Sequence, residues 1–293
     1  MRAMNKLKIG IPKGSLENQT VELFKRAGWT ITYGARNYFP DIDDSEVSCA
    51  LVRAQEMSRY VENGTLDMGL TGADWILENG SDVVVIDDLV YSKTSTRKAR
   101  WVLAVRDDSP VERIEDLDGK KISTELVNFT ARYFRERGIN VEVEFSWGAT
   151  EAKCVEGLVD AVVEVTETGS TIRANNLKII HELMTTNTQL IANRDAWGNP
   201  WKRRKIERIS TLLRGSLLAM GKVGMKMNVK KADLGPVTLL LPSLTAPTVS
   251  PLSRDEWYAV ETIVDKSIVR ELIPLLQEAG AVGIIEYPLN KVV

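Results

Sequence analysis

Short apolar runs that end in a small polar turn and pass directly into an amphipathic helix recur along much of this chain, and a sheet with helices on its faces is the economical way to bury that pattern. Residues 7–11 form the first run. Pro12-Lys13-Gly14-Ser15 make its turn, and the helix that follows sets Leu16, Thr20, Leu23, Phe24 and Ala27 on one face before Gly28 closes it. Residues 47–52 and 66–71 are predicted strands, and residues 54–63 a helix ended by Gly64. Asp74 is expected to cap the helix that begins at Trp75. Residues 83–89 and 100–105 read as further strands.

The polar turn at 106–110 is expected to open a second α/β lobe, with strands at 120–124, 141–145, 161–165 and 177–180 and a helix at 128–137 ended by Gly138. From Gly221 the pattern changes. A strand (222–229), a helix capped by Asp233, an extended stretch (245–252), a strand (257–264), a helix (266–279) ended by Gly280 and a last strand (282–287) give the order β-α-β-β-α-β, the split βαβ or ferredoxin-like arrangement. The expected domains are residues 1–105 with 182–220 as lobe I, 106–181 as lobe II and 221–293 as an appended domain.

Composition narrows the functions open to such a chain. At 293 residues, with 44% hydrophobic and 27% charged residues, it has the balance of an ordinary soluble protein. Lys and Arg number 38 against 40 Asp and Glu, a net charge of −2, so anionic ligands must be held by local groups rather than by a global field. Trp201-Lys202-Arg203-Arg204-Lys205 opens a helix whose apolar positions are Ile206, Ile209, Leu213 and Leu217, so its charges read as a solvated face and not as a nucleic-acid contact. Cys49 and Cys154 lack CxxC or Cys/His spacing, which excludes a disulfide framework and a zinc cage and leaves two buried thiols. No apolar run approaches the ~18–20 residues that span a bilayer, and residues 1–10 lack a secretory h-region, so a cytoplasmic location is expected.

The richest stretch runs from Asp160 to Arg173, where a strand bearing carboxylates enters a loop of small and hydroxyl residues. Thr168, Ser170 and Thr171, with the Gly169 backbone, suit a phosphate monoester. Asp160 and Glu164 share one face of the strand and are expected to reach ribose hydroxyls or a hydrated Mg²⁺. Together they describe a sugar-phosphate site, set against an ordinary capped turn. Pro12-Lys13-Gly14-Ser15 and Leu70-Thr71-Gly72-Ala73-Asp74 are two similar turns, and with Arg53 they fit the rule that α/β ligands bind at the carboxyl ends of strands. Gly64-Thr65-Leu66-Asp67 is echoed by Gly157-Leu158-Val159-Asp160, as in two related lobes around a cleft. His181, the single histidine, reads as a structural imidazole, so the chemistry is expected to rest on positioning and charge rather than on a nucleophilic side chain.

These residues resemble the long form of the ATP phosphoribosyltransferase family, and the resemblance covers nearly the whole chain. It is carried by Ile11-Pro12-Lys13-Gly14-Ser15-Leu16, Arg53-Ala54-Gln55-Glu56 with residues 64–75, Asp118-Gly119-Lys120-Lys121-Ile122-Ser123-Thr124-Glu125, Gly148-Ala149-Thr150-Glu151-Ala152 and, most specifically, residues 160–176. Ser15 stands where many members carry Arg, and Cys154 and Val155 depart from the family's small and proline residues.

The resemblance implies a two-lobed, periplasmic-binding-protein-like catalytic core and a ferredoxin-like, ACT-like regulatory domain. It implies that ATP and phosphoribosyl pyrophosphate, with Mg²⁺, give N1-(5-phosphoribosyl)-ATP and pyrophosphate in the first step of histidine biosynthesis. Thr168, Gly169, Ser170 and Thr171 would hold the 5-phosphate, and Asp160 and Glu164 the ribose hydroxyls or Mg-bound water; Mg²⁺ itself would be carried mainly by substrate phosphates. Lys13, Gly14, Arg53, Thr71, Gly72 and Asp74 would face ATP or the pyrophosphate. L-Histidine would bind near Thr248, Gly280 and Ala281 at subunit interfaces of a homo-oligomer, up to a hexamer. AMP is a further ligand the resemblance suggests; a separate regulatory subunit, nucleic acid and membrane are not expected. Rival readings are a two-lobed solute-binding or sensing protein without catalysis, and a ligand-sensing transcription regulator, which should carry a basic helix-turn-helix at one end.

Overall fold

The computed structural model describes residues 6–32, 34, 37–91, 98–242 and 246–293. The start of the extended stretch expected from 245, and residues 1–5 of the opening segment, lie outside the described residues. The chain divides into two compact units, one of residues 1–25 and 29–210 and the other of residues 26–28 and 211–293.

In the first unit, β1 (Leu7–Lys13) leads through the Gly14 turn into α1 (Glu17–Ala27). A short ribbon, β2 (Ile31–Thr32) with β3 (Asp41–Ile42), precedes β4 (Val47–Arg53), α2 (Ala54–Glu62), β5 (Met68–Gly72), α3 (Ala73–Asn79) and β6 (Val84–Leu89). β1 pairs in parallel with β4 and with β5. Gly10 of β1 stands opposite Gly69 of β5, and a Cβ on either would collide with the Met57 sulfur of α2. The helix seats on the sheet because both positions lack a side chain.

The second lobe contains β7 (Ala99–Arg106), β8 (Lys121–Thr124), α4 (Val127–Arg135), β9 (Glu142–Phe145), α5 (Thr150–Val155), β10 (Ala161–Thr166), α6 (Ser170–Ala174) and β11 (Leu177–Thr186), with the sheet order β11-β7-β10-β8-β9. β12 (Thr188–Ala192) then returns to the first sheet, whose order is β4-β1-β5-β12-β6, and is followed by α7 (Arg194–Gly198) and α8 (Pro200–Met220). The result is the two-lobed architecture of periplasmic-binding-protein type.

The sheets draw the lobe boundary elsewhere than the expected 1–105, 106–181 and 182–220. β7 is a central strand of the second sheet, and β11 continues to Thr186. The physical reason is burial on both faces: Trp101, Leu103 and Val105 join Leu117, Ile122 and Phe134 in one core, while Val102 and Ala104 join Cys154, Val162 and Ile172 in another. The polar turn at 106–110 ends a strand inside the lobe and does not mark its edge.

The second unit contains β13 (Lys222–Lys230), α9 (Leu234–Leu240), β14 (Thr248–Pro251), β15 (Trp257–Asp265), α10 (Val269–Glu278) and β16 (Val282–Pro288). Its sheet is antiparallel throughout, in the order β14-β15-β13-β16, which is the ferredoxin-like topology. Met225, Met227, Val229, Val260, Leu272 and Leu276 fill its core. Asp233 is the N-cap residue of α9 but makes no side-chain capping bond. Its carboxylate lies instead against Gly280, whose φ of 100° and crowded Cβ position both require glycine.

Candidate active site

Parallel pairing fixes which residues share an edge. Lys13 and Arg53 are direct partners at the carboxyl ends of β1 and β4, so two cations stand side by side on the first lobe. The Lys13 ammonium lies 3.8 Å from the Tyr38 ring centroid. Both cations line a recess of about 210 Å³ with Tyr38, Glu56 and Tyr60. On the second lobe β8, β9 and β10 run parallel, with Thr124 opposite both Phe145 and Val163. Glu125, Trp147 and the loop after Thr166 therefore project from one carboxyl edge.

The two edges face each other across a cavity of about 570 Å³, lined from the first lobe by Arg53, Gln55, Trp75 and Asn79 and from the second by Glu125, Asn128, Phe145 and Trp147. That size suits a small-molecule ligand. Below it the lobes are joined directly. The Trp101 indole N–H donates to Asp74 Oδ2 at 2.7 Å, and Trp75 meets Trp101 edge-on at 6.4 Å. Glu78 of α3 accepts from the backbone N–H groups of Asn128 and Phe129 at 2.9 and 2.8 Å, capping α4 across the lobe boundary. Arg132 reaches back to the Leu77 carbonyl at 2.6 Å.

The hydroxyl loop is ordered by its own contacts. Gly169 takes φ 73° and donates its N–H to Thr166 Oγ1 at 2.8 Å, and the Thr168 and Ser170 hydroxyls lie 3.0 Å apart. Thr168, Ser170 and Thr171 are exposed. Glu164 is part-buried near the end of β10. Burial pushes its carboxyl up to about 7, helped by the charges of Glu151 and Glu125 and opposed by a hydrogen bond from Thr150. Glu125 is likewise raised by burial and by the Asp74 charge, against a hydrogen bond from Gln55.

The expected site residues separate into groups. Lys13, Gly14, Arg53, Glu164 and the 168–171 loop lie on the two carboxyl edges. Asp160 does not join them. It precedes β10 at the opposite end, about 13 Å from Glu164 at ~3.3 Å per residue, with Oδ2 accepting from the Lys121 N–H and Oδ1 near Lys120. One Mg²⁺ or one ribose cannot touch both carboxylates. Thr71 is fully buried and donates to the Ala54 carbonyl at 2.7 Å. Asp74 is 6% exposed and is the second residue of α3, not its cap; its carboxylate serves the Trp101 indole and the Trp75 N–H. Burial raises its pKa against those bonds. Gly72 leaves the room that the Asp74 carboxylate occupies.

In the second unit, Thr248 lies on the β14 edge strand, while Gly280 and buried Ala281 precede β16 on the other edge, three strand spacings or roughly 14 Å away. His181 is hydrogen-bonded to the Tyr133 hydroxyl at 2.7 Å. Glu125 enters the sequence reading only as the last residue of the block 118–125, and Glu78 and Trp147 do not enter it; the signal for Trp147 is a tryptophan just before a Gly148-Ala149 turn.

The family model for ATP phosphoribosyltransferase matches residues 53–215, and that for the HisG C-terminal domain matches residues 219–291. The chain belongs to the ATP phosphoribosyltransferase family. Curated ATP phosphoribosyltransferases from Desulfosudis oleivorans and Desulfatibacillum aliphaticivorans are 64% and 65% identical to it, over 98% of this chain and 99% and 98% of theirs. One from Solidesulfovibrio magneticus is 63% identical over the full length of both. A solved Thermotoga maritima structure described as an ATP phosphoribosyl transferase (HisG:HisZ) complex shares 26% identity, with a TM-score of 0.61, over 71% of this chain and 98% of its own. As an ATP phosphoribosyltransferase family member the chain is a transferase of histidine biosynthesis, and the family generally uses a metal ion. Among the described residues no group of three or more His, Cys, Asp or Glu side chains is placed to hold one. No described helix is long and apolar enough to cross a membrane.

Proposed function

We propose that the cleft between the two lobes joins ATP to phosphoribosyl pyrophosphate, with the hydroxyl loop on one carboxyl edge and the Lys13–Arg53 pair on the other. The observation that carries this reading is a cavity of about 570 Å³ lined by Arg53, the strand partner of Lys13, from the first lobe and by Glu125, Phe145 and Trp147 from the second. Thr168, Ser170 and Thr171, with the loop backbone around Gly169, hold the 5-phosphate. Glu164 accepts from the ribose hydroxyls. Lys13 and Arg53 meet the ATP phosphates or the departing pyrophosphate. The N1 lone pair of adenine forms the bond to the ribose C1 as the C1–O bond to pyrophosphate breaks, and the electron pair leaves with pyrophosphate. Positive charge developing on the ribose is stabilised by the ionised Glu164 carboxylate. Thr71, Asp74 and Asp160 hold the scaffold.

Mg²⁺ would be carried by the substrate phosphates. When bound it offsets the pyrophosphate charge. The second unit is the regulatory domain and takes L-histidine. Thr248 and the Gly280-Ala281 turn reach one ligand only from different copies of the chain, so this site belongs to a homo-oligomer. The match of residues 219–291 to the family's own C-terminal domain supports regulation without a separate subunit.

The test is formation of phosphoribosyl-ATP, followed by absorbance with pyrophosphate release, with and without L-histidine. Turnover suppressed by histidine is expected. A folded protein that binds small molecules without turnover would instead support a two-lobed binding protein.

A further inference from the structure

Trp147 is 66% exposed and Phe145 61% exposed, although both stand on firmly anchored backbone. Phe145 ends β9 opposite Thr124. Ser146, between the two rings, is 2% exposed; its N–H donates to the Thr124 carbonyl at 3.0 Å, and its Oγ lies 3.1 Å from the Thr150 hydroxyl. Gly148 and Ala149 follow with φ 72° and 51°, left-handed conformations that alanine rarely adopts. The turn thus spends an unusual backbone on presenting a large flat ring to open space. That ring lines the 570 Å³ cavity, with the Arg53 guanidinium 5.6 Å from its centroid.

We propose that Trp147, with Phe145 beside it, is the surface on which the adenine base of ATP stacks. This rests on the reading that the cleft joins ATP to phosphoribosyl pyrophosphate. A purine offers a π-face that an indole holds without hydrogen bonds, and the remaining cavity wall supplies amide and carboxylate groups for its edge: Gln55, Asn79, Glu125 and Asn128. Arg53 lines both this cavity and the smaller recess it shares with Lys13, so a base on Trp147 leaves its phosphates beside two cations.

The experiment pairs steady-state kinetics with equilibrium dialysis of labelled ATP in the absence of the sugar phosphate. Trp147→Ala is expected to raise both KM and Kd for ATP by about 5- to 150-fold, the range that loss of one base–aromatic stack gives. KM for phosphoribosyl pyrophosphate should move by less than about twofold, because the lost contact is to the other substrate. Trp147→Tyr keeps a flat ring and should recover most of the affinity, whereas Trp147→Leu keeps bulk alone and should not. Thermal melting confirms that each exposed-site variant is folded. Unchanged ATP affinity in Trp147→Ala, an equal loss for both substrates, or recovery by Leu as complete as by Tyr overturns the stacking role while wild-type turnover stands. Wild-type protein without turnover overturns the proposed function, and this inference with it.

Discussion

Glu164 carries the clearest signature of the site, a part-buried carboxyl pushed up to about 7 by burial and by the charges of Glu151 and Glu125. Because its folded pKa lies above its unfolded value, the native state holds a proton that the unfolded chain has released between about pH 4.5 and 7, and the stability this residue contributes falls as pH rises through that window. Relative to Glu164→Gln, the wild type should therefore lose stability across it; a pH-independent difference in urea midpoint would contradict the burial. In the proposed site the ionised form is the one that would accept from ribose hydroxyls, so kcat/KM for phosphoribosyl pyrophosphate should climb through about pH 7 and flatten in Glu164→Gln. Gly72 gives a second test. An alanine Cβ there would strike the Asp74 carboxylate, breaking its bond to Trp101, and should destabilise the fold by about 1–3 kcal/mol on chemical denaturation; an unchanged midpoint would mean the carboxylate has room to move. At this scale the sequence told residue type better than role. Asp74 looked like a local cap because its partner Trp101 is 27 residues away. Asp160 looked like the companion of Glu164 because alternation reports a shared face and says nothing of distance along the strand.

Elements were more legible where each carries its own punctuation. β1 and β5, and β13 and β16 of the second unit, follow from apolar runs beside glycine turns, while β4 follows from its apolar run between polar flanks. The crossing between lobes was hidden, because β11 and β12 meet in the polar run Thr185-Thr186-Asn187-Thr188 and no glycine or proline marks the join. α4 shows why some element ends cannot be read locally. Its N-cap position, Leu126, has no side-chain capping bond, and the carboxylate that serves the first turn comes from Glu78 on the other lobe. Glu78→Ala should cost about 0.5–2 kcal/mol of stability, as loss of a cap does. Glu78→Gln, which keeps one acceptor, should cost less. Equal urea midpoints for wild type and Glu78→Ala would show that water replaces the carboxylate at no cost. A rise in KM for both substrates in Glu78→Ala would tie the latch to cleft geometry.

For the whole molecule, catalysis is proposed for the unit of residues 1–25 and 29–210, and regulation for the unit of residues 26–28 and 211–293. Because Thr248 and Gly280 occupy opposite edges of one sheet, histidine inhibition should weaken as the protein is diluted below its assembly concentration. Inhibition independent of dilution in a demonstrably dissociated protein would place the site within one chain. The transfer itself stands or falls on the loop after β10. At Gly169 a Cβ would lie 2.9 Å from Arg173 Nη1 and 3.1 Å from Ile179 Cδ1, at φ 73°, so valine must distort the loop. Initial rates of phosphoribosyl-ATP formation against phosphoribosyl pyrophosphate concentration, wild type beside Gly169→Val, should show KM for the sugar phosphate raised about tenfold or more, the loss of roughly one charge-assisted hydrogen bond, with KM for ATP little changed. Identical kinetics for the two proteins would contradict the assignment of this loop to the 5-phosphate, and with it the placement of the reaction in the cleft.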